Sequence, residues 1–202
     1  RQRRLGVVTN FRELQSARTG APSRGGLIPA YLAGERSARE FFAQLEAAAG
    51  RYSGFNLLLA ERDCLWYGSN RAQPFARALP PGVYGLSNEL LDTPWPKLIR
   101  VKQRFGQWLE APQSTAQGLF ALLEDRTQAP PSSAALAPGG LPPEWERILS
   151  APFVVHPEYG TRCSPVVLLE DGGNLHVAER RFDAAGRASG ENEYRLNAGD
   201  WP

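Results

Sequence analysis

The sequence contains no methionine, only two cysteines and only two histidines among 202 residues. Cys64 and Cys163 lie far apart and form no metal-ligand spacing, and His156 and His176 have no Cys, Asp or Glu at ligand distance along the chain. No metal site is therefore expected. The cysteine usage fits a reducing compartment, so the expected location is cytoplasmic. No apolar run approaches the roughly 18 residues a membrane span needs, and there is no signal-peptide pattern, so no integral membrane segment is expected. There is no excess of one charge either. The net charge is +2, too small to argue for a nucleic-acid partner. The chain begins at Arg1 and lacks methionine, which leads us to expect a missing upstream piece.

What is present reads as an α+β protein, with residues 1–202 expected to form a single domain. Leu5 to Asn10 is a β-branched run ending on asparagine. Ser37-Ala38-Arg39-Glu40 matches a capping box, and Phe41, Leu45 and Ala48 follow at helical spacing with Phe42 and Ala49 beside them, and Gly50 placed to stop the helix at C′. Tyr52 to Ala60 and Cys64 to Asn70 predict a hairpin, and Gly82 to Ser87 a third strand of the same meander. Pro94-Trp95-Pro96 fixes the backbone before a helix over Leu98 to Leu109, in which Leu98, Val101, Phe105, Trp108 and Leu109 share a face. Ser114 is placed to cap a second helix, and the two are expected to pack on one side of the meander sheet. Residues 128–143 read as a surface loop or lid, and Glu144 to Leu149 as a helical turn. Strands return at Phe153 to Val155, Tyr159 to Glu170, Leu175 to Phe182 and Glu193 to Leu196.

Four polar side chains at strand ends or in the neighbouring loop stand out. They are Asn10, Arg24, Asn88 and Arg162. Asparagines at strand ends commonly do no more than terminate the strand. An arginine within Tyr159-Gly160-Thr161-Arg162 is a stronger signal, because an inward guanidinium must be paired. Brought together, such groups would suit a carboxylate, an amide carbonyl or a developing oxyanion. Cys163 follows Arg162, but strand alternation puts the two on opposite faces, so it reads as a small packing residue. His176 reads as exposed on its strand.

Several blocks in fixed order then carry a resemblance. Val8-Thr9-Asn10-Phe11-Arg12-Glu13, Ser23-Arg24-Gly25, Gly54-Phe55-Asn56-Leu57-Leu58, Ser69-Asn70-Arg71, Gly82-Val83-Tyr84-Gly85-Leu86-Ser87-Asn88, Asp92-Thr93-Pro94-Trp95-Pro96-Lys97 and Tyr159-Gly160-Thr161-Arg162 resemble the NRDE-motif proteins, also called the transport and Golgi organisation 2 family. The resemblance implies an N-terminal-nucleophile-hydrolase-like αββα sandwich of two antiparallel sheets flanked by helices. It implies a role in binding or trafficking a small anionic ligand, with haem or an acyl-CoA as the transported ligand and no cofactor required. Asn88 and Arg162 are then the carry-overs of an assisting asparagine and arginine, and Asn10 is a substrate contact. The alternative it implies is an amidohydrolase acting on linear amides, with an N-terminal cysteine as nucleophile. The family's NRDE tetrapeptide and early cysteine precede the block that begins here at Leu5, so this chain offers no catalytic residue of that kind, and upstream strands are expected.

Overall fold

The computed structural model describes residues 3–13, 20–61, 64–112, 115–130 and 141–200. The chain divides into two compact units, Arg1–Thr93 and Pro94–Trp201. Each carries one antiparallel sheet and its own helices, so the architecture is α+β.

In the first unit the strand order is β1-β2-β3-β4, with β1 Arg4–Asn10, β2 Phe55–Glu61, β3 Cys64–Ser69 and β4 Ala76–Leu79. The β2–β3 hairpin forms as expected, with Leu58 opposite Tyr67 and Ala60 opposite Leu65. The third strand of the meander does not lie at Gly82 to Ser87. Ala76–Leu79 occupies that place, and residues 80–95 are irregular. Alternation misleads here because Gly85 is satisfied locally. Its N–H donates to Asp92 Oδ1 at 2.8 Å and its carbonyl accepts the Asp92 N–H at 2.8 Å. Asp92 reaches this position at φ 61, a left-handed conformation that aspartate tolerates better than most residues.

Helices α1 (Leu27–Ala33) and α2 (Ala38–Ala48) contact this sheet. The Ser37 box closes both ways. Ser37 Oγ accepts the Glu40 N–H at 3.3 Å, and Glu40 Oε2 accepts the Ser37 N–H at 2.9 Å. The buried face of α2 is Ala38, Phe42 and Leu45, continued by Ala49. Leu45 and the flanking Phe42 and Ala49 are the fully buried members of the expected face, and Phe41 and Ala48 are half-buried at its edge. The α-helix ends at Ala48 with Ala49 as C-cap, which puts Gly50 at the expected C′ position, and a 3-10 turn over Ala49–Arg51 follows. Leu27, Tyr31, Phe42 and Leu45 meet Phe55, Leu57, Leu59 and Phe75 in one cluster. Each large side chain buried there contributes about 1.5–3 kcal/mol.

The second unit opens with α3 (Pro96–Glu110), followed by α4 (Ala116–Leu123) and α5 (Pro143–Leu149). Its sheet runs β5 (Cys163–Leu169), β6 (Leu175–Phe182) and β7 (Ala188–Leu196) in that order. Trp95 sits at the N-cap of α3 and is buried, as a core plug between two prolines should be. Phe105 stacks on Trp108 with centroids 5.6 Å apart, and both pack on Leu119, Phe120 and Leu122 of α4 with Val166 and Ala178 of the sheet. Leu109 is exposed, so the apolar stripe ends at Trp108. The helix pair thus belongs to the second sheet rather than the meander. Thr115 caps α4 by accepting the Gly118 N–H, whereas Ser114 lies outside the described residues. So do residues 131–140 of the expected loop or lid. The strand expected at Phe153 to Val155 is one bridge, Val155 to Gly160. The expected Tyr159 to Glu170 strand begins only at Cys163, because Thr161 folds back on Val154. Its N–H donates to the Val154 carbonyl at 2.9 Å and its hydroxyl accepts the Val154 N–H at 3.1 Å.

Two ion clusters tie this unit together. Arg180 reaches Glu124 at 2.6 Å and Glu191 at 2.9 Å, donates to Gln117 and lies 4.3 Å over the Phe120 ring. Asp125 receives Arg100 Nε at 2.7 Å and Arg104 Nη1 at 3.3 Å, joining the end of α4 to α3. Burial alone would raise the Asp125 carboxyl, but hydrogen bonds from Thr127 and Arg100 and the Arg100 charge outweigh it and lower the value to about 2. A carboxyl depressed in the folded state contributes stability above its unfolded value of 3.8, and that contribution disappears as pH falls towards about 2. Urea melts at pH 7 should therefore show Asp125→Asn less stable by up to about 2 kcal/mol, with the gap to wild type closing near pH 2. A gap unchanged between pH 7 and pH 2 would refute this role.

Candidate functional site

A polar concavity of the first unit lies where β1 ends. It is an open cleft of about 390 Å³ lined by Val8, Asn10, Ala21, Pro22, Ser23, Arg24, Gly25 and Ser53. That size lies in the range of small-molecule sites. Asn10 reaches it as the last residue of β1, paired with Phe55 of β2. Arg24 opens a 3-10 turn over Arg24–Gly26, and its Nη1 donates to the Gly54 carbonyl at 2.8 Å. Gly54 begins the entry to β2, and its N–H donates to Glu13 Oε2 at 3.1 Å. A Cβ at Gly54 would lie 2.7 Å from the Phe11 Cβ, so only glycine lets these two segments approach.

The charges around the cleft leave a cation in surplus. Glu13 accepts Arg71 Nε at 2.6 Å. Burial would raise the Glu13 carboxyl, but the Gly54 N–H, Arg71 and the more distant Arg24 charge together hold it below the usual carboxylate range. Glu13 is thus ionised and committed to Arg71 and Gly54. Among the described residues no carboxylate forms an ion pair with Arg24.

Asn10 and Arg24 therefore line one cleft, and Asn88 stands behind it. Asn88 Nδ2 donates to the Asn10 carbonyl at 3.1 Å, and the Asn88 carbonyl accepts the Arg12 N–H at 2.6 Å. Its amide donor serves the backbone of Asn10 and does not line the cleft. Arg162 belongs to the second unit. It is exposed, precedes β5, and its Nη1 donates to the Asp183 carbonyl at 3.1 Å. The expectation of an inward-facing guanidinium is thereby corrected. With the strand starting at Cys163, four residues later than expected, the Arg162 carbonyl takes the Phe182 N–H while the side chain turns to solvent.

The remaining candidates resolve simply. Cys163 is exposed rather than packed, and Cys64 is exposed as well. His156 rests against Trp145, with ring centroids 4.7 Å apart. His176 is half-buried rather than exposed, with Nε2 at 2.8 Å from Glu193 Oε1. Among the described residues no group of His, Cys, Asp and Glu could hold a metal ion, and no helix is long and apolar enough to cross a membrane. A second concavity of similar volume, in the second unit, is lined by Leu141, Pro142, Trp145, Leu149 and Tyr159. It offers apolar surface without a charged anchor.

Sequence reasoning gave no separate role to Asn56 or Tyr67. Asn56 is fully buried in β2, donates to Thr9 Oγ1 at 3.1 Å and to the Glu89 carbonyl at 2.9 Å, and accepts the Tyr67 hydroxyl at 2.9 Å. Burial pushes the Tyr67 phenol above its ordinary value despite the Leu91 N–H that it accepts, so the hydroxyl keeps its proton and donates to Asn56. The available signal was one amide within the apolar run Phe55-Asn56-Leu57-Leu58-Leu59, since a buried polar group must be satisfied.

Comparison with known proteins identifies the family. The family model described as Transport and Golgi organisation 2 matches residues 1–184. The chain is similar to the Transport and Golgi organization protein 2 homolog of Bos taurus, 34% identical over 213 residues that cover 96% of this chain and 75% of that protein. It is similar also to the Homo sapiens protein of the same description, 31% identical over 189 residues that cover 88% of this chain and 68% of that protein. The chain belongs to the Transport and Golgi organisation 2 family.

Proposed function

We propose that this chain binds a small anionic ligand in the cleft at the end of β1 and passes it on. The observation that carries this reading is Arg24, a cation with no carboxylate ion-pair partner among the described residues, set in the wall of a polar cleft beside the Asn10 amide. A guanidinium with one donor held by a backbone carbonyl still presents others to a carboxylate or phosphate. The Asn10 amide and the hydroxyls of Ser23 and Ser53 add neutral partners. Haem or an acyl-CoA is the ligand that the resemblance suggests. The cleft lining contains no His, Cys or Met, so haem would be gripped by a propionate rather than through its iron. A site anchored by one cation suits transfer better than storage. The N-terminal-nucleophile-like sandwich is part of the same proposal, supported by two antiparallel sheets that each carry helices.

The test is a titration of the protein with haem and, separately, with oleoyl-CoA. Saturable binding of either, weakened by Arg24→Ala, is the expected result. No binding of both ends the proposal. Arg162 is carried by the resemblance alone and is checked on its own. If it contacts ligand, Arg162→Ala weakens binding by up to about 1 kcal/mol, the worth of an exposed ion pair, in a folded protein, and unchanged affinity removes it.

A further inference from the structure

We infer that Asn56 and Tyr67, neither of which lines the cleft, are positioning residues for it, acting through the 87–91 loop on the last turn of β1. The inference rests on the reading of the cleft as the ligand site. β1 is an edge strand. Phe11 directs its N–H towards Gly54, at 2.9 Å, on the β2 side. By strand alternation the Asn10 carbonyl and the Arg12 N–H then point to the open side. Asn88 meets both. It supplies its own carbonyl to Arg12 and its side-chain amide to Asn10, so a single residue does what a neighbouring strand would do. Thr9 adds a third tie from its hydroxyl to the Ser87 carbonyl at 3.0 Å.

An irregular loop can act as such a neighbour only if its own backbone is held. Asn56 takes the Glu89 carbonyl, Tyr67 takes the Leu91 N–H at 3.2 Å, and the two side chains are bonded to each other. Asn56 also holds Thr9 Oγ1, so the loop and β1 are bound to the same buried amide. A leucine at position 56 would continue the apolar run and leave these groups without their partner. The chain instead places its one fully satisfied buried amide of this strand where β1 and the loop meet. Cleft geometry at Asn10 is therefore set from the opposite face of the sheet, since Thr9 and Asn10 point to opposite sides.

Tyr67→Phe removes only the hydroxyl and keeps the ring in the core, which makes it the primary variant. Amide hydrogen exchange on the full chain should show Leu91 and Arg12 exchanging about tenfold faster, while Phe11 and the β2–β3 ladder keep their wild-type rates. Thr9→Val should give the same pattern at Arg12, and Thr9→Ser, which keeps the hydroxyl, should not. Oleoyl-CoA affinity should fall about fivefold in Tyr67→Phe. An unchanged Arg12 rate in Tyr67→Phe overturns the inference. So does a uniform rise that includes Phe11 and the ladder, because that is general destabilisation. If the wild-type protein binds no oleoyl-CoA or haem, the cleft reading fails, while the exchange pattern still decides whether Asn56 and Tyr67 hold β1.

Discussion

Arg24→Ala should reduce affinity for an anionic ligand by about 30- to 150-fold, or roughly 2–3 kcal/mol, the worth of a hydrogen bond to a charged group in a partly screened site. The effect should exceed that of any other substitution in the cleft, because Asn10, Ser23 and Ser53 supply only neutral partners there. Arg24 also anchors the Gly54 carbonyl, so a stability loss of about 1 kcal/mol is expected alongside. Arg24→Lys separates the two roles. It keeps the positive charge but loses the planar fork, and so should restore part of the affinity and leave a shallower salt dependence than a bidentate grip would give. Isothermal titration at two ionic strengths reads all of this. Arg24→Ala with wild-type affinity would show that the ligand does not use this cleft. Asn88→Ala belongs to the same series with a different signature. Its amide holds the Asn10 backbone, so it should weaken binding several-fold and also speed exchange at Arg12.

The features legible in the sequence were those whose partners lie nearby along the chain. The Ser37–Glu40 box, the β2–β3 hairpin and the Trp95 plug each depend on residues within a few positions, and each appears where expected. The misreadings have separate physical causes. Gly82 to Ser87 alternates like a strand, but its neighbourhood is held by Asp92, Asn56 and Thr9 through side-chain bonds that span up to 78 positions. No local period records such bonds. Which of the adjacent Phe41 and Phe42 is fully buried on α2 is set by the fit against the sheet, not by the count of apolar positions. Arg162 misled because the strand was started four residues too early, and a residue just outside the strand is not bound by its alternation. Of the four candidate residues, Asn10 and Arg24 meet at one cleft, and Asn88 supports it from behind. A buried asparagine in an apolar strand proved a better pointer to organisation than asparagines at strand ends.

Gly68→Ala should be among the most damaging single-methyl additions in the first unit. A Cβ built at Gly68 would stand 2.3 Å from Phe42 Cε1 and 2.7 Å from Cδ1. Phe42 is 1% exposed. Its ring is also bounded by Phe75, edge-on at 6.1 Å, and by Trp66 at 6.4 Å, so it has no empty space to turn into. Either α2 lifts from β3 or the ring leaves its rotamer, and overpacking of this kind costs about 1–3 kcal/mol, with the upper end expected here. Gly50→Ala is the matched control. It meets nothing within 4 Å, and its stability should stay within about 1 kcal/mol of wild type. Phe42→Leu alone opens a cavity and is destabilising, but combined with Gly68→Ala the smaller side chain makes room for the new methyl. The double variant should therefore be more stable than the sum of the two losses predicts, by at least about 1 kcal/mol in urea denaturation. Strict additivity would mean that Phe42 yields freely, and that the close approach of α2 to β3 is not what requires glycine at position 68.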